Sequence, residues 1–199
     1  KFKRVRVIKN KGKFMTKSKQ FSTRLIFLTS LTVFILGSCS QSNEEDISSS
    51  ISNLSGSSNI GLINDERIIS AESEPGNWLS HGRTYEEQRF SPLSKINKET
   101  VKDLGLVWSK DMGTNRALEA TPIVVDGIMF FTSTWSRVYA VDALTGETIW
   151  KFDPEVPGEW ARKACCDIVN RGVAVYNGKV YSASLDGRLF SLNAETGEK

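Results

Sequence analysis

The chain has 199 residues, of which 39% are hydrophobic and 25% charged, and this composition is ordinary for a globular protein of one or two domains. Its formal net charge of +3 is misleading, because residues 1–24 carry ten lysines and arginines and no acid. The rest of the chain holds 16 basic residues against 23 acidic ones, a balance of −7. This balance argues against a nucleic-acid-binding protein, which presents a basic face to phosphate.

An export signal is predicted at the start of the chain. The basic stretch "MTKSKQFSTR" begins at Met15, the predicted start, and the apolar run "LIFLTSLTVFIL" spans Leu25 to Leu36. A run of this length suits the apolar part of a signal and is short for crossing a bilayer. A buried core helix is the alternative. We expect residues 1–39 to be a signal segment.

The stretch "LGSC", which ends at Cys39, resembles a bacterial lipobox. Small residues give the peptidase access to the backbone, and the thiol of Cys39 accepts the lipid. Cleavage that leaves Cys39 free is the alternative. The resemblance implies a periplasmic protein with a membrane lipid anchor, and Ser40 after the cysteine indicates the outer membrane.

The stretch after Cys39 is rich in serine and poor in residues that could pack. Residues 40–58 include nine serines. Such a composition is typical of a flexible linker. The sequence predicts a tether over residues 40–76, followed by a domain over residues 77–199.

The domain reads as short β-strands that repeat with a period of 51 residues. Turn pairs of high hairpin propensity occur at Asp126-Gly127, Asn177-Gly178 and Asp186-Gly187. The stretch that begins at Gly127 aligns without a gap with the stretch that begins at Gly178. A period near fifty is typical of β-propeller blades, which bury their faces only against neighbouring blades.

The sequence therefore predicts an all-β fold that contains about the first two blades of a propeller. The predicted blades run over residues 106–144 and 149–194, with Trp108 and Trp150 in their first strands. Because two blades cannot form a stable domain, we expect the chain to belong to a longer protein that continues after Lys199.

The stretch "AVDALTGETIW", Ala140 to Trp150, resembles the tryptophan-docking motif of the quinoprotein dehydrogenases. In that family the fold is an eight-bladed propeller, and the tryptophan packs on the neighbouring blade. The second copy, "SLNAETGEK", is degenerate. A non-catalytic lipoprotein scaffold of the outer-membrane β-barrel assembly machinery uses similar repeats and is the alternative function.

Two adjacent cysteines, Cys165 and Cys166, stand out in a chain that has only one other cysteine. Cysteines of exported proteins are expected to pair. If Cys39 carries lipid, the adjacent pair is left with each other. Two reduced thiols, or partners after Lys199, are the alternatives that the residues leave open.

The stretch "CCDIVNRG" that contains these cysteines resembles a segment of the alcohol dehydrogenases that depend on pyrroloquinoline quinone (PQQ). The resemblance implies that Cys165 and Cys166 form a vicinal disulfide that packs on one face of PQQ. It also implies that Arg171 reaches the quinone oxygens at C4 and C5. A surface charge is the alternative for Arg171.

Three further stretches resemble the same family. "NWLSHGRTYEEQRFSPLSKIN", residues 77–97, is similar to the first segment of its domain, and we expect its His81 to be a surface or structural residue. "ALEATPIVVDG" places Glu119 where the family hydrogen-bonds PQQ. "SASLDGRL" places Ser184 where a threonine of the family contacts a PQQ carboxylate.

The resemblance as a whole implies an enzyme that oxidises small alcohols with bound PQQ and passes electrons to a periplasmic acceptor such as a cytochrome c. It also implies a metal ion, Ca²⁺ or a lanthanide. The catalytic aspartate and the metal ligands are expected beyond Lys199, so no residue of this chain is assigned to the metal.

Overall fold

The computed structural model describes residues 4–10 and 60–199. The predicted lipidation site Cys39, the predicted start Met15 and the serine-rich residues 40–58 lie outside the described residues. Of the predicted signal segment only Arg4–Asn10 is described, and it forms a β-strand. Over residues 60–199, no helix is long and apolar enough to cross a membrane.

The described residues form three antiparallel sheets with few and short helices. The strands are β1 (Arg4–Asn10), β2 (Leu104–Asp111), β3 (Ile123–Val125), β4 (Ile128–Thr132), β5 (Val138–Asp142), β6 (Thr148–Phe152), β7 (Ala174–Tyr176), β8 (Lys179–Ala183) and β9 (Leu189–Asn193). The helices are α1 (Asp65–Ile69) and α2 (Trp160–Lys163), with 3₁₀ turns at Ala71–Ser73, Val101–Asp103 and Thr134–Ser136. Strand β1 pairs with β2, strands β3 to β6 form the first sheet, and strands β7 to β9 form the second sheet. The predicted all-β class is confirmed.

Two of the predicted turn pairs close hairpins between neighbouring strands. Asp126 and Gly127, with φ of 53° and 80°, join β3 to β4. Asn177 and Gly178, with φ of 46° and 71°, join β7 to β8. Two successive residues with positive φ match the twist of the flanking strands, which explains why Asp-Gly and Asn-Gly occupy these positions.

The tryptophans of the docking motif pack face-on against glycines. A Cβ atom on Gly146 would lie 2.5 Å from the ring of Trp108, and one on Gly197 would lie 2.7 Å from the ring of Trp150. Each indole N–H also donates a hydrogen bond to a backbone carbonyl, at 3.2 Å and 2.9 Å respectively. Only glycine leaves room for this approach, so the Thr-Gly pair of the motif is explained by packing as well as by turn geometry.

The sheet boundaries differ from the predicted blade boundaries. Strand β6 carries Trp150 and pairs with β5, where Ala140 lies opposite Trp150. Trp150 therefore lies on the last strand of the first sheet, and it reaches from there to Gly197 beside the second sheet. A sequence repeat has a period but no starting point, and only the hydrogen-bonded registers decide where a sheet begins. Each observed sheet begins one strand later along the chain than the predicted blade: the first begins at β3 and not at β2, and the second at β7 and not at β6.

The main apolar core combines side chains from both larger sheets. The rings of Phe130 and Trp150 lie with their centroids 5.9 Å apart, and those of Phe152 and Phe190 lie 5.0 Å apart. Burying a side chain of this size stabilises the fold by about 1.5–3 kcal/mol. Because Phe152 is in the first sheet and Phe190 in the second, this burial holds the sheets together without a shared strand ladder.

Residues 60–76 form a packed segment that contacts the hairpin of the second sheet. Ile63 is fully buried in the main core. The backbone N–H groups of Asn177 and Gly178 donate to the carbonyls of Ile63 and Gly61 at 2.8 and 2.9 Å. The structure therefore corrects the flexible tether predicted over residues 40–76, because its last part is packed. The serine-rich composition that suggested a tether ends at Ser58.

Arg67 fixes this segment to the first sheet through Asp126 and also pairs with Glu74 inside the segment. Its guanidinium donates to Glu74 at 2.6 Å and to Asp126, in the β3–β4 turn, at 2.9 Å. The hydrogen bond from Arg67 is the largest cause that lowers the pKa of Glu74 below its ordinary value. The same two carboxylates raise the pKa of Arg67, the hydrogen bond to Glu74 contributing most.

We expect the substitution Gly146→Ala to weaken the contact with Trp108, since the new Cβ would overlap the ring. The matched control is Gly127→Ala, because Gly127 has a similar positive φ of 80° but nothing within 4 Å of the added atom. The predicted loss of unfolding free energy is about 1–3 kcal/mol greater for Gly146→Ala than for the control. Urea denaturation of the full-length protein measures both, and equal losses would contradict the packing argument.

Candidate functional site

Cys165 and Cys166 form a disulfide directly after α2. Their Cα atoms lie 3.8 Å apart, as adjacent residues must. Both residues are exposed, so the disulfide lies at the surface of the described residues and does not belong to the core. Among the pairings that the sequence leaves open, the structure has the two cysteines bonded to each other.

The segment that follows the disulfide is bonded to the first sheet and to the loop between β2 and β3. Asp167 has φ of 73°, and its carboxylate accepts a hydrogen bond from the Arg116 guanidinium at 2.7 Å. Ile168 is buried, and its carbonyl accepts a bond of 3.1 Å from the N–H of Trp135 in the β4–β5 connection. One polar anchor and one apolar anchor therefore follow directly after the cysteines.

Arg171 and Glu119 form an ion pair. Their side-chain atoms Nη2 and Oε2 lie 3.2 Å apart. The Arg171 side chain is 73% exposed and that of Glu119 is 37% exposed, so both groups are accessible to a ligand. The structure thus brings together two residues that the family resemblance assigns to the same cofactor.

A close backbone contact explains why these two residues meet. The N–H of Thr121 donates to the carbonyl of Arg171 at 3.1 Å, and Thr121 and Gly172 form a parallel bridge. Gly172 has φ of 125°, and a Cβ atom there would lie 2.8 Å from the carbonyl oxygen of Thr121. The glycine is therefore required, because any side chain would push apart the two segments that carry Glu119 and Arg171.

A cavity of about 340 Å³ lies beside Arg171. It is lined by Ser136, Val169, Asn170, Arg171, Gly172, Ala183, Ser184 and Leu185. Arg171 and Ser184 thus line the same cavity. Glu119 does not line it, but its carboxylate is ion-paired with Arg171, which does. Cys165 and Cys166 are not among the residues that line it.

Ser184 lies in the connection between β8 and β9, at residues 184–188. The predicted turn pair Asp186-Gly187 lies inside this longer loop, and within the pair only Gly187 has positive φ, so the two-residue turn expected there is wrong. The Ser184 hydroxyl donates to the carboxylate of Asp186. A hydrogen bond from Arg188, followed by the one from Ser184, lowers the pKa of Asp186 to about 2. Asp186 therefore stays ionised at neutral pH and competes with any ligand for the Ser184 proton.

Two residues of the cavity have roles that the sequence reasoning missed. Ser136 has a left-handed backbone, with φ of 56°, and its hydroxyl accepts a bond of 3.2 Å from the N–H of Leu185. Asn170 makes hydrogen bonds to both larger sheets. Asn170 was visible inside "CCDIVNRG", but nothing in the sequence says which groups its amide contacts.

In the part of the chain that the structure describes, no group of three or more histidine, cysteine, aspartate or glutamate side chains could hold a metal ion. His81, which the sequence predicts to be structural or superficial, is exposed and lies 2.8 Å from the Arg89 guanidinium through its Nε2 atom.

The antiparallel sheets with their repeated Trp-Gly contacts are those of a β-propeller, and the guanidinium of Arg171, which is paired with Glu119, lines a cavity. A family model described as "Glucose/ethanol/alcohol dehydrogenase, beta-propeller domain", of the PQQ type, matches residues 78–199. The chain belongs to this family. Its predicted propeller fold and its predicted family are confirmed.

Relatives of known name agree with this assignment. The chain is 55% identical over 133 residues to the dehydrogenase subunit of a quinone alcohol dehydrogenase from Komagataeibacter europaeus, which covers 67% of this chain and 18% of that protein. It is 52% identical over 124 residues to the 1-butanol dehydrogenase (cytochrome c) of Thauera butanivorans, with 62% and 18% covered.

A solved structure supports the same fold. The quinohemoprotein alcohol dehydrogenase ADHIIG of Pseudomonas putida superposes with a TM-score of 0.68 at 54% identity, over 70% of this chain and 20% of that one. The chain therefore spans about a fifth of the length of these relatives.

We expect Arg116→Ala to make the exposed disulfide easier to reduce, because it removes the ion pair that restrains Asp167 next to Cys166. An ion pair of this exposure is worth up to about 1 kcal/mol, so the rate of reduction by a phosphine should rise about two- to fivefold. Alkylation followed by mass spectrometry measures the rate. Arg162→Ala removes an exposed charge from neighbouring α2 and serves as the control. An equal rate in both variants would show that the Arg116–Asp167 pair does not restrain the loop.

Proposed function

We propose that this chain is part of an exported enzyme that oxidises alcohols with bound PQQ and passes the electrons to a periplasmic acceptor such as a cytochrome c. The observation that carries the proposal is the exposed Glu119–Arg171 pair, with Arg171 lining a cavity, in a member of the PQQ dehydrogenase family. The names of the relatives support the substrate class and the acceptor, since one is a quinone alcohol dehydrogenase and another carries cytochrome c in its name.

The chemistry of the exposed groups fits PQQ, a planar quinone that carries carboxylates. Arg171 offers N–H donors to oxygen atoms, and Glu119 offers an acceptor. The surface disulfide of Cys165 and Cys166 offers a rigid apolar face. When bound, PQQ supplies the electron-accepting centre of alcohol oxidation.

Arg171 has the central role among the residues of this chain. If PQQ accepts electrons from the alcohol, negative charge would develop on its quinone oxygens, and a guanidinium that is already held in place would stabilise this charge without reorganisation. Glu119 and the backbone bond from Thr121 hold the side chain and the main chain of Arg171, respectively. The disulfide excludes water from one face of the cofactor and restricts its orientation.

Ser184 has a more limited role in this proposal. Its hydroxyl has one proton, which it donates to Asp186. To hold a PQQ carboxylate, Ser184 must turn this proton from Asp186 to the ligand. Because the pKa of Asp186 is about 2, protonation of Asp186 cannot free the hydroxyl at neutral pH.

We also propose a metal ion, Ca²⁺ or a lanthanide, beside the cofactor. Its ligands and the aspartate that acts as base are proposed to follow Lys199 in the full-length protein. The role of the described residues is therefore to hold and orient PQQ.

The proposed location is the periplasm, with a lipid on Cys39 that anchors the protein to the outer membrane. The support is the lipobox-like "LGSC" after an apolar run. The alternative function, a scaffold in outer-membrane β-barrel assembly, is not favoured. The named relatives above 50% identity are dehydrogenases.

Arg171→Ala tests the proposed function. In full-length protein supplied with PQQ and metal, we expect a loss of about 2–4 kcal/mol of transition-state stabilisation, or about 30- to 1000-fold in kcat/KM. Alcohol-dependent reduction of an artificial dye measures the activity.

Arg162→Ala is the control for the loss of a nearby positive charge and should retain nearly full activity. A wild-type protein that binds no PQQ, or an Arg171→Ala variant with full activity, would overturn the proposed function.

Cys39→Ala tests the lipid anchor. Expression in a Gram-negative host with labelled palmitate should label the wild-type protein, and the variant should lose the label because its thiol is gone. Equal labelling of the two proteins would rule out Cys39 as the lipidation site.

A further inference from the structure

The side chain of Asn170 makes three hydrogen bonds, which use both ends of its amide. Its Oδ1 atom accepts from the Thr132 hydroxyl at 3.0 Å and from the N–H of Gly172 at 3.0 Å. Its Nδ2 atom donates to the carbonyl of Ala183 at 2.8 Å. The orientation of the amide follows from its backbone partners, because the N–H of Gly172 can only donate and the carbonyl of Ala183 can only accept.

These partners lie on three different parts of the fold. Thr132 is the last residue of β4 in the first sheet, and Ala183 is the last residue of β8 in the second. Gly172 follows Arg171 directly. The amide of Asn170 therefore bridges the two sheets and, with the same oxygen, closes a tight turn whose central residue is Arg171.

Arg171 is thereby restrained on both sides of its backbone. On one side, the N–H of Gly172 donates to Oδ1 of Asn170 and closes the turn around Arg171. On the other side, the N–H of Thr121 donates to the carbonyl of Arg171. The Arg171 side chain itself is 73% exposed and has the Glu119 carboxylate as an ion-pair partner. An exposed guanidinium with many rotamers is directed chiefly by the backbone from which it starts, so the restraint on that backbone is important.

We propose that Asn170 is a positioning residue for Arg171, an inference that rests on the proposed function. It sets the backbone direction of Arg171 through the turn that its Oδ1 atom closes with the N–H of Gly172, so that the guanidinium is in place before the cofactor binds. No other common side chain supplies the same set of bonds. Aspartate lacks the donor to Ala183, and glutamine is longer by one methylene group.

Three substitutions separate this role from simple attachment of one sheet to the other. Asn170→Ala removes the bond that closes the turn and the two bonds to the sheets, at Thr132 and Ala183. Asn170→Ser keeps a short acceptor for the N–H of Gly172 but loses the donor to Ala183. Thr132→Val is nearly isosteric and removes only the bond to the first sheet.

The experiment uses the full-length protein, purified without PQQ. Equilibrium dialysis gives the Kd for PQQ, and urea denaturation gives the stability of each variant. We expect Asn170→Ala to raise the Kd about tenfold. Asn170→Ser should recover part of the affinity, and Thr132→Val should bind almost as the wild type does, although both lose stability. If affinity instead falls in parallel with stability across the three variants, Asn170 is only a link between the sheets and the proposal fails.

A double-mutant cycle with Arg171→Ala gives the decisive result. If Asn170 acts through Arg171, adding Asn170→Ala to the Arg171→Ala protein should change the Kd by less than about twofold. The same tenfold change in both backgrounds would overturn the proposal while leaving PQQ binding intact. A wild-type protein that does not bind PQQ would instead refute the proposed function, so the two failures are distinguishable.

Discussion

The contact of the Trp150 indole with Gly197 is the constraint on which the rest of the structure depends. The first and second sheets share no strand ladder within the described residues, so side-chain packing sets the distance between them. The ring lies against a glycine that admits no Cβ, and the indole N–H is bonded to the carbonyl of Ala194. A flat ring on bare backbone allows little sliding or rotation, because either movement breaks the hydrogen bond or opens a gap.

The cavity beside Arg171 lies where the two sheets meet. Ser184 and Leu185 come from the second sheet's β8–β9 loop, and Ser136 comes from the first sheet's β4–β5 connection. The N–H of Leu185 donates to the Ser136 hydroxyl across the junction. Asn170 spans the same junction through its amide. The site is thus a product of the contact between sheets, and a small displacement would separate its walls.

The segment with the disulfide and Arg171 is ordered by many weak restraints. The Arg116 guanidinium pairs with the carboxylate of Asp167. The backbone N–H groups of Trp135 and Thr121 donate to the carbonyls of Ile168 and Arg171. Each bond contributes only about 1 kcal/mol, but each also removes conformational freedom that a ligand would otherwise have to remove. The groups that face a cofactor can therefore remain exposed and still be preorganised.

Much of the fold could be predicted from the sequence because its signals are local. Asp126-Gly127 and Asn177-Gly178 close hairpins through residues that tolerate positive φ, whatever the surroundings. The period of 51 residues reports a repeated unit, and "CCDIVNRG" identifies the family through residues that are adjacent in the chain. These features determined the all-β class, the propeller and the identity of Arg171 as a candidate, and the stretch "ALEATPIVVDG" did the same for Glu119.

Other features were decided only by the tertiary structure. The phase of the blades depends on which strands pair, and Trp150 joined the first sheet although the repeat suggested the second. Residues 60–76 pack because Ile63 finds a buried place between elements that are distant in sequence. The partnership of Glu119 with Arg171, the bond from Ser184 to Asp186 and the bridge made by Asn170 all follow from how the sheets and loops meet. The sequence by itself determined which strands, turns and functional groups this protein has, because propensity and motif act over neighbouring residues. Only the folded chain decided which groups touch, because that depends on registers and packing between segments far apart in the chain.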